Sequence, residues 1–463
     1  MVGVGMKKHR VVIIGGGFGG LYAAQSLRRA KDVEVTLIDR RNFHLFQPLL
    51  YQVATAGLSP ANIAAPLRAV LNKQKNARVL MAEVTGIDAN AREVILKEGD
   101  RVPYDTLIVA TGARHDYFGH PEWERIAPGL KTIEDATAIR RRIFESFELA
   151  ERSSDPEQIR QLLTFVIVGA GPTGVELAGA LSEITRDTLR HDFRRIDPRT
   201  ARIVLVDASD RVLGAMHPEL SEKARAQVER LGVEVLTNAK VVDLKEGQVS
   251  LVRDGKEEVI RANTILWAAG VRASPLGQII ADATGAKLDR AGRVLIEPNL
   301  GVPGHPEIMV IGDLARLEQD GKPLPGVATV AMQQGEYAAR RIREQLRGQA
   351  LPPFRYHDKG SMATIGRAAA VADIKGFRFS GYFAWILWLF VHLMYIIAFA
   401  NRILVMVQWA WQYLTFGRGA RLITGEEREN PPLPAPPGIA KAEREPPRPA
   451  TGDESRRLHR TGV

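Results

Sequence analysis

Not one cysteine occurs in the 463 residues. Its absence excludes disulfides, iron–sulfur clusters, thiolate zinc sites and any cysteine redox relay within the chain. A long apolar run is missing at the start: after MKKHR only the four apolar residues VVII precede the glycines, too few for a secretory signal core. The expectation is therefore a cytoplasmic body. Aromatic residues are scarce at 6%, and most of the chain has none in clusters. Hydrophobic residues at 45% and charged residues at 25% lie in the globular range, and the length fits two or three domains. A formal net charge of +10 suits solubility and also attracts nucleic acid or anionic lipid, so charge alone does not choose a partner.

Val11 to Ile14 is a β-branched run that stops at a glycine cluster, and Leu21 to Leu27 continues at helical spacing. Val33 to Ile38 is the next strand and closes at Asp39, completing a βαβ unit. The same order returns later: strand Phe165 to Val168, glycine turn, helix Val175 to Ile184, then strand Ile203 to Val206 closing at Asp207. Leu107 to Ala110 before Thr111-Gly112, and Ile265 to Ala268 before Ala269-Gly270, read as return strands of the two units. Ile133 to Arg152 reads as an exposed helix bridging them. Ile308 to Ile311 runs into Gly312-Asp313, and a helix over Ala328 to Leu346 follows.

In Gly15-Gly16-Gly17-Phe18-Gly19-Gly20, the first glycine permits a tight turn, Gly17 lets the backbone approach a pyrophosphate, and Gly20 lets helix and strand pack closely. Asp39 is then placed to accept hydrogen bonds from a ribose. The second copy is Gly169-Ala170-Gly171-Pro172-Thr173-Gly174, with Asp207 as its ribose acid. A carboxylate there repels a 2′-phosphate, which favours NADH over NADPH, although Arg211 stands close in sequence. Two dinucleotide sites in one chain imply a relay through a tightly held acceptor, usually a flavin. Glycines alone do not say which site holds which nucleotide.

These features, with Ala110-Thr111-Gly112 and Ile311-Gly312-Asp313 before a helix, resemble the pyridine-nucleotide flavoprotein oxidoreductases. Three longer stretches narrow the resemblance: Asn42 to Thr55 (NFHLFQPLLYQVAT), Tyr356 to Arg367 (YHDKGSMATIGR), and the aromatic block through Arg421. Together, over about residues 10 to 424, they resemble the type II NADH dehydrogenases, single-subunit NADH:quinone oxidoreductases.

The resemblance implies non-covalent FAD on Gly15, Gly17, Phe18, Gly19, Gly20, Asp39, Arg40, Gln47, Ala110, Thr111, Gly112, Gly312 and Asp313. It puts NADH, as substrate, on Gly169, Gly171, Pro172, Thr173, Gly174, Glu176, Asp207 and Gly270. Glu176 is expected near the nicotinamide, and Lys359 beside flavin and quinone, where a cation stabilises reduced, anionic flavin. The family's quinone-side helix reads Ala-Gln-x-Ala-x-Gln; here Thr329 replaces the first glutamine and Gln333 keeps the second. Thr329, Gln333 and Lys359 are thus the expected quinone contacts, while Leu45, Phe46 and Leu49 fit tunnel wall or plain core equally.

From Gly381 to Phe416 aromatic and aliphatic residues dominate. Phe383 to Ala400 has about the minimum length for a bilayer span, with only His392 titratable. Against a span, Asn401, Gln408, Gln412 and Thr415 share one helical stripe, with Ile403, Leu404, Val407, Trp411 and Leu414 elsewhere, as in a helix lying in an interface. Trp385, Trp388, Trp409, Trp411 and Tyr413 suit a headgroup boundary, and Lys375, Arg378, Arg402, Arg418 and Arg421 can meet anionic lipid. A dimer interface or a buried helix pair would also use such a block. Monotopic attachment to the cytoplasmic face of the cell membrane is expected.

The expected fold is α/β: two Rossmann-like dinucleotide domains and a C-terminal membrane-associating helical region. Residues 1–125 and 276–346 form the two parts of the FAD domain, 126–160 the bridging helix and 161–275 the NADH domain. Residues 347–425 form the C-terminal region with amphipathic helices at 381–416, and 426–463, rich in Pro, Glu and Arg, a disordered tail. The expected partners are membrane quinone, menaquinone or ubiquinone, and the lipid bilayer, with no nucleic acid, no metal and a homodimeric assembly. Without cysteine, disulfide reductases and sulfide:quinone oxidoreductases are excluded. A flavoprotein reductase of a soluble protein acceptor remains as an alternative that leaves 381–416 unused, and a flavin-based redox sensor as a non-enzyme one.

Overall fold

The computed structural model describes residues 8–397, 399–415 and 417–425; the expected tail at 426–463 lies outside them. In chain order the first unit is β1 (His9–Ile14), α1 (Phe18–Ser26), β2 (Val33–Asp39), the short α2 (Leu50–Ala54), β3 (Ala77–Met81) and β4 (Thr106–Val109). Helix α3 (Ile133–Arg152) leads to the second unit: β5 (Thr164–Val168), α4 (Pro172–Glu183), β6 (Arg202–Val206), α5 (Pro218–Arg230), β7 (Val233–Leu236) and β8 (Thr264–Trp267). The chain then returns to the first unit with β9 (His305–Val310) and α6 (Ala328–Leu346).

The first sheet has the order β9-β4-β1-β2-β3, all parallel, with a short antiparallel edge at 301–302. The second is β7-β6-β5-β8, also parallel. Strands buried on both faces need continuous apolar runs, and Val11, Val12, Ile13, Phe165, Val166 and Ile167 are at most 1% exposed. Each unit carries a three-stranded antiparallel meander, at 84–103 and 239–261.

Helix α3 has the expected bounds but is not the exposed bridge expected of it. Ile139, Ile143 and Phe147 recur every four residues and are buried, with Phe147 stacked 5.5 Å from Phe165 of β5, and even Arg140 is only 5% exposed. A capping box starts it, Thr132 Oγ1 accepting from Asp135 N–H and Asp135 Oδ2 from Thr132 N–H.

The C-terminal region adds the antiparallel sheet β10 (Ser361–Gly366), β11 (Ala369–Ile374) and β12 (Phe377–Ser380), then helices α7 (Tyr382–Tyr395) and α8 (Phe399–Thr415). Ala363, Ile365, Val371, Trp388, Ile396 and Val405 join one apolar core with α3 and α4. Closest approach falls at Gly179 of α4, where a Cβ would stand 1.5 Å from Ile365 O. Only glycine admits that packing.

Candidate active site

The two glycine turns have one geometry. Gly15 has φ +102° and a Cβ there would lie 2.5 Å from Ala110 O; Gly169 has φ +104° and would lie 2.6 Å from Ala269 N. A Cβ on Gly20 would stand 1.9 Å from Gly15 O, and one on Gly174 1.8 Å from Gly169 O, so these glycines set strand-to-helix distance. By contrast, Gly17 and Gly171 have nothing within 4 Å of their would-be Cβ. Both are N-caps without a side-chain cap, which leaves the first-turn N–H groups of α1, and those of α4 after Pro172, without a side-chain acceptor from the cap. Free amide donors at a helix N-terminus beside a Cβ-sized opening fit a pyrophosphate.

Each ribose acid is anchored by its own turn. Asp39 accepts from Gly16 N–H at 2.6 Å and Arg41 N–H at 2.7 Å. Asp207 accepts from Ala170 N–H, from Ser209 N–H at 2.7 Å and from the Ser209 hydroxyl. Arg211, close to Asp207 in sequence, donates to Gly214 O at 3.1 Å.

A cleft of about 680 Å³ runs between the units. From the first it takes Gly15 to Gly19, Asp39, Arg40, Gln47, the 110–112 turn and Asp313, and from the second Thr173, Trp267 and Gly270. Asp313 follows Gly312, whose φ is +71° and whose N–H donates to Gln334 Oε1 at 2.7 Å. Gln334, 1% exposed, holds that turn. His44 is buried behind Gly16 and binds its carbonyl through Nδ1 at 2.9 Å. Burial lowers the His44 pKa to about 4, so the ring is neutral and Nδ1–H is the donor. Leu45 lines the cleft, whereas Phe46 and Leu49 belong to the core.

Glu176 lies in a second cavity of about 490 Å³, with Tyr51, Gln52, Thr364, Trp388 and Trp409 among its walls. Burial pushes its carboxyl well above the usual carboxylate range, which favours the neutral acid; a backbone hydrogen bond from Thr364 opposes this. The mouth opens among Tyr382, Ile386, Phe390 and Met406, all exposed.

Thr329, Gln333 and Lys359 come together elsewhere. The Thr329 hydroxyl is 2.9 Å from Tyr356 Oη, and Gln333 pairs with the His357 backbone, donating to its carbonyl at 2.9 Å and accepting from its N–H at 3.0 Å. Lys359 is exposed, donates to Tyr395 Oη at 3.3 Å, and sits in a shallow depression with Tyr356, His357 and Asp358. Among the described residues it lines neither the cleft nor the Glu176 cavity.

No helix among the described residues is long and apolar enough to cross a membrane, and the stretch 383–400 breaks after Tyr395. The polar stripe of α8 faces the protein: Asn401 donates to Ala61 O at 3.1 Å, Trp409 Nε1 to Gln52 Oε1 at 2.8 Å, and Gln412 to Gly57 O. Its apolar stripe faces outward, with Trp411 65% and Leu414 76% exposed.

Known proteins agree with this architecture. The family model described as pyridine nucleotide-disulphide oxidoreductase matches residues 9–335, and the NDH2 C-terminal domain matches residues 358–419. The type II NADH:quinone oxidoreductase Ndh of Mycobacterium tuberculosis is 47% identical over 429 residues, 91% of each chain. Its second enzyme of that description, NdhA, is 48% identical over 90% of each. The chain belongs to the type II NADH:quinone oxidoreductase family. In fold it is similar to NDH2 from Plasmodium falciparum in complex with NADH, with a TM-score of 0.81 at 20% identity over 90% of this chain and all of that one. A sulfide:quinone oxidoreductase from Aquifex aeolicus shares the fold at a TM-score of 0.68 and 17% identity, covering 93% of this chain and 100% of that one.

In this family member one arginine ties the C-terminal domain to both nucleotide-binding units at once. Arg418 donates to Glu183 Oε2 at 2.8 Å and to Thr55 O at 2.8 Å, while Arg367 N–H donates to Glu183 Oε1. One guanidinium thus links the segment after α8 to both Rossmann units. Arg418, expected to meet anionic lipid, is instead engaged by Glu183, its side chain 10% exposed; Gln334, His44, Gln52 and Thr364 had no site role assigned from sequence, since isolated polar residues carry no periodic signal.

Proposed function

We propose that the chain catalyses NADH:quinone oxidoreduction at the cytoplasmic face of the cell membrane, without pumping protons, with FAD on the Gly15 to Gly20 cradle and NADH on the Gly169 to Gly174 cradle. The observation that carries this is the pairing of two open glycine cradles, the first and Thr173 of the second lining one interdomain cleft, with an apolar cavity that opens among exposed apolar residues of α7 and α8. Bound FAD supplies the acceptor for hydride from NADH and the donor of two electrons to quinone.

The residues divide the remaining work. Asp39 and Asp207 orient the two riboses, and Asp207 disfavours NADPH. Quinone reduction takes two electrons and two protons; hydride from NADH brings both electrons and one proton, so one proton comes from water. Glu176, favoured as the neutral acid in its cavity, is placed to pass that proton to a quinone oxygen. Thr329 and Gln333 order the 356–359 segment outside the Glu176 cavity, with Lys359 the cation of that segment and the proposed partner of flavin and quinone. Monotopic attachment through α7 and α8 gives quinone its route from the bilayer, and the proposed assembly is a homodimer.

Steady-state NADH oxidation with and without a short-chain quinone is the test, joined to anaerobic titration of the flavin absorbance with NADH and then menaquinone or ubiquinone analogues. Fast quinone-dependent turnover is expected. A single slow bleaching without turnover would replace the enzyme by a redox sensor, and turnover only with a soluble protein acceptor would make it a reductase of that protein.

A further inference from the structure

The hydrogen bonds around Gln52 have only one chemically allowed direction. Trp409 Nε1 of α8 lies 2.8 Å from Gln52 Oε1, and Gln52 Nε2 lies 2.9 Å from Tyr51 Oη. Indole nitrogen is a donor only, so the amide oxygen must face Trp409 and the amide N–H must face Tyr51. The Tyr51 oxygen therefore accepts from Gln52, and its own O–H turns away. Tyr51 is 7% exposed, and it lines the same cavity as Glu176, close enough for the Glu176 charge to act on it.

We propose that Trp409 and Gln52 aim the Tyr51 hydroxyl at Glu176, making Tyr51 and Gln52 positioning residues through which the seating of α8 sets the geometry of that acid during quinone reduction. This rests on the role given to Glu176 above. The other titratable or charged groups bordering the cavity are Glu183 at the end of α4, Asp187 beyond it, Arg367 after β10, Arg418, and Tyr382 and Tyr413. Glu183 is already engaged by Arg418 and by Arg367 N–H, and Arg367 lies over the Tyr413 ring at 4.2 Å. Tyr51 is thus the buried hydroxyl beside Glu176 whose orientation is set from the membrane-facing helix. Val407 and Trp411, two residues either side of Trp409 and so on the opposite face of α8, are both exposed, so a bilayer contacting them would press the indole toward Gln52.

The experiment uses full-length holoenzyme in liposomes containing anionic lipid, with the variants Tyr51→Phe, Gln52→Leu, Trp409→Phe and the double variant Tyr51→Phe with Trp409→Phe. Stopped-flow flavin absorbance separates bleaching by NADH from reoxidation by a short-chain ubiquinone, each over a range of pH. Every single variant is expected to slow reoxidation about tenfold more than bleaching and to move the midpoint of the reoxidation pH profile. The double variant is expected to be no slower than Tyr51→Phe, because both act through one hydroxyl. Equal losses in both half-reactions, additive losses, or an unmoved pH midpoint would overturn the proposal; Tyr51→Phe removes a single oxygen and keeps it testable if Trp409→Phe fails to fold. Glu176→Gln separates the layers. If it leaves reoxidation at the wild-type rate, the Glu176 reading itself fails; if it slows reoxidation while Tyr51→Phe matches wild type, only the positioning role fails.

Discussion

At the scale of single residues the glycines divide into two kinds that one methyl group distinguishes. Gly17→Ala and Gly171→Ala add a Cβ that meets no protein atom within 4 Å, so the fold should persist while the methyl occupies the space offered to a pyrophosphate. We expect Gly171→Ala to keep its flavin and raise the KM for NADH about tenfold, and Gly17→Ala to purify with little flavin, read from the visible spectrum and steady-state kinetics. Gly20→Ala and Gly174→Ala put a carbon within 1.9 and 1.8 Å of a backbone oxygen and should instead lower yield and Tm. Titration separates a different pair of states at His44. Unfolded, its imidazole takes a proton below about 6.5; folded, only below about 4. The unfolded chain therefore binds the extra proton between those values, and stability falls as pH drops from 6.5 to 4 by about 1.4 kcal/mol per pH unit. His392, lowered to about 4 by burial, acts in the same direction. Melting at a series of pH values should show the combined slope of the two histidines, and His44→Leu should reduce it by about half.

At the scale of elements, the parts of the fold legible in the sequence are those that one local rule enforces. Both βαβ units announce themselves because a strand buried on both faces must be apolar and a turn with positive φ beside a packed carbonyl must be glycine. The bounds of α3 and α6 were legible from periodicity, but which face of α3 is covered was not, since that depends on β5 and α2 arriving from elsewhere. The stripe on α8 was legible as a stripe, and its direction was not: Asn401 and Gln412 reach carbonyls of the 57–64 segment, which no local pattern announces. The same holds for Lys359, whose motif is conspicuous and whose contact with Tyr395 is visible only in space. Two predictions belong here. Arg418→Ala leaves Glu183 without its ion pair at a site where the arginine side chain is 10% exposed, and should cost about 3 kcal/mol, measured by denaturant unfolding in detergent. Gly179→Ala must push β10 off α4, so it should reduce quinone-dependent turnover more than NADH-driven flavin bleaching, through displacement of the Thr364 amide from Glu176.

At the scale of the whole molecule, the exposed apolar residues of α7 and α8 form a surface beside the cavity mouth, with Phe377 and Phe379 of β12 at its edge. Register places Phe379 opposite Ala372, on the side of the sheet that α7 covers, whereas Arg378 on the other side bonds Glu219 of α5. A lipid surface would accordingly touch both the helices and the hairpin. Leu414→Asp and Trp411→Asp should each weaken co-sedimentation with vesicles about tenfold, and leave NADH-driven flavin bleaching in detergent intact; unchanged sedimentation would remove α8 from the membrane contact.

Arg418 and the two tryptophans that roof the Glu176 cavity, Trp388 and Trp409, all follow both nucleotide-binding units along the chain. During synthesis the ribosome consequently completes the electron-entry half of the molecule while its exit is still unmade. A chain halted before residue 381 would own both glycine cradles and no roofed chamber. The closing arginine thereby ties the completion of the exit to a segment made after both entry sites.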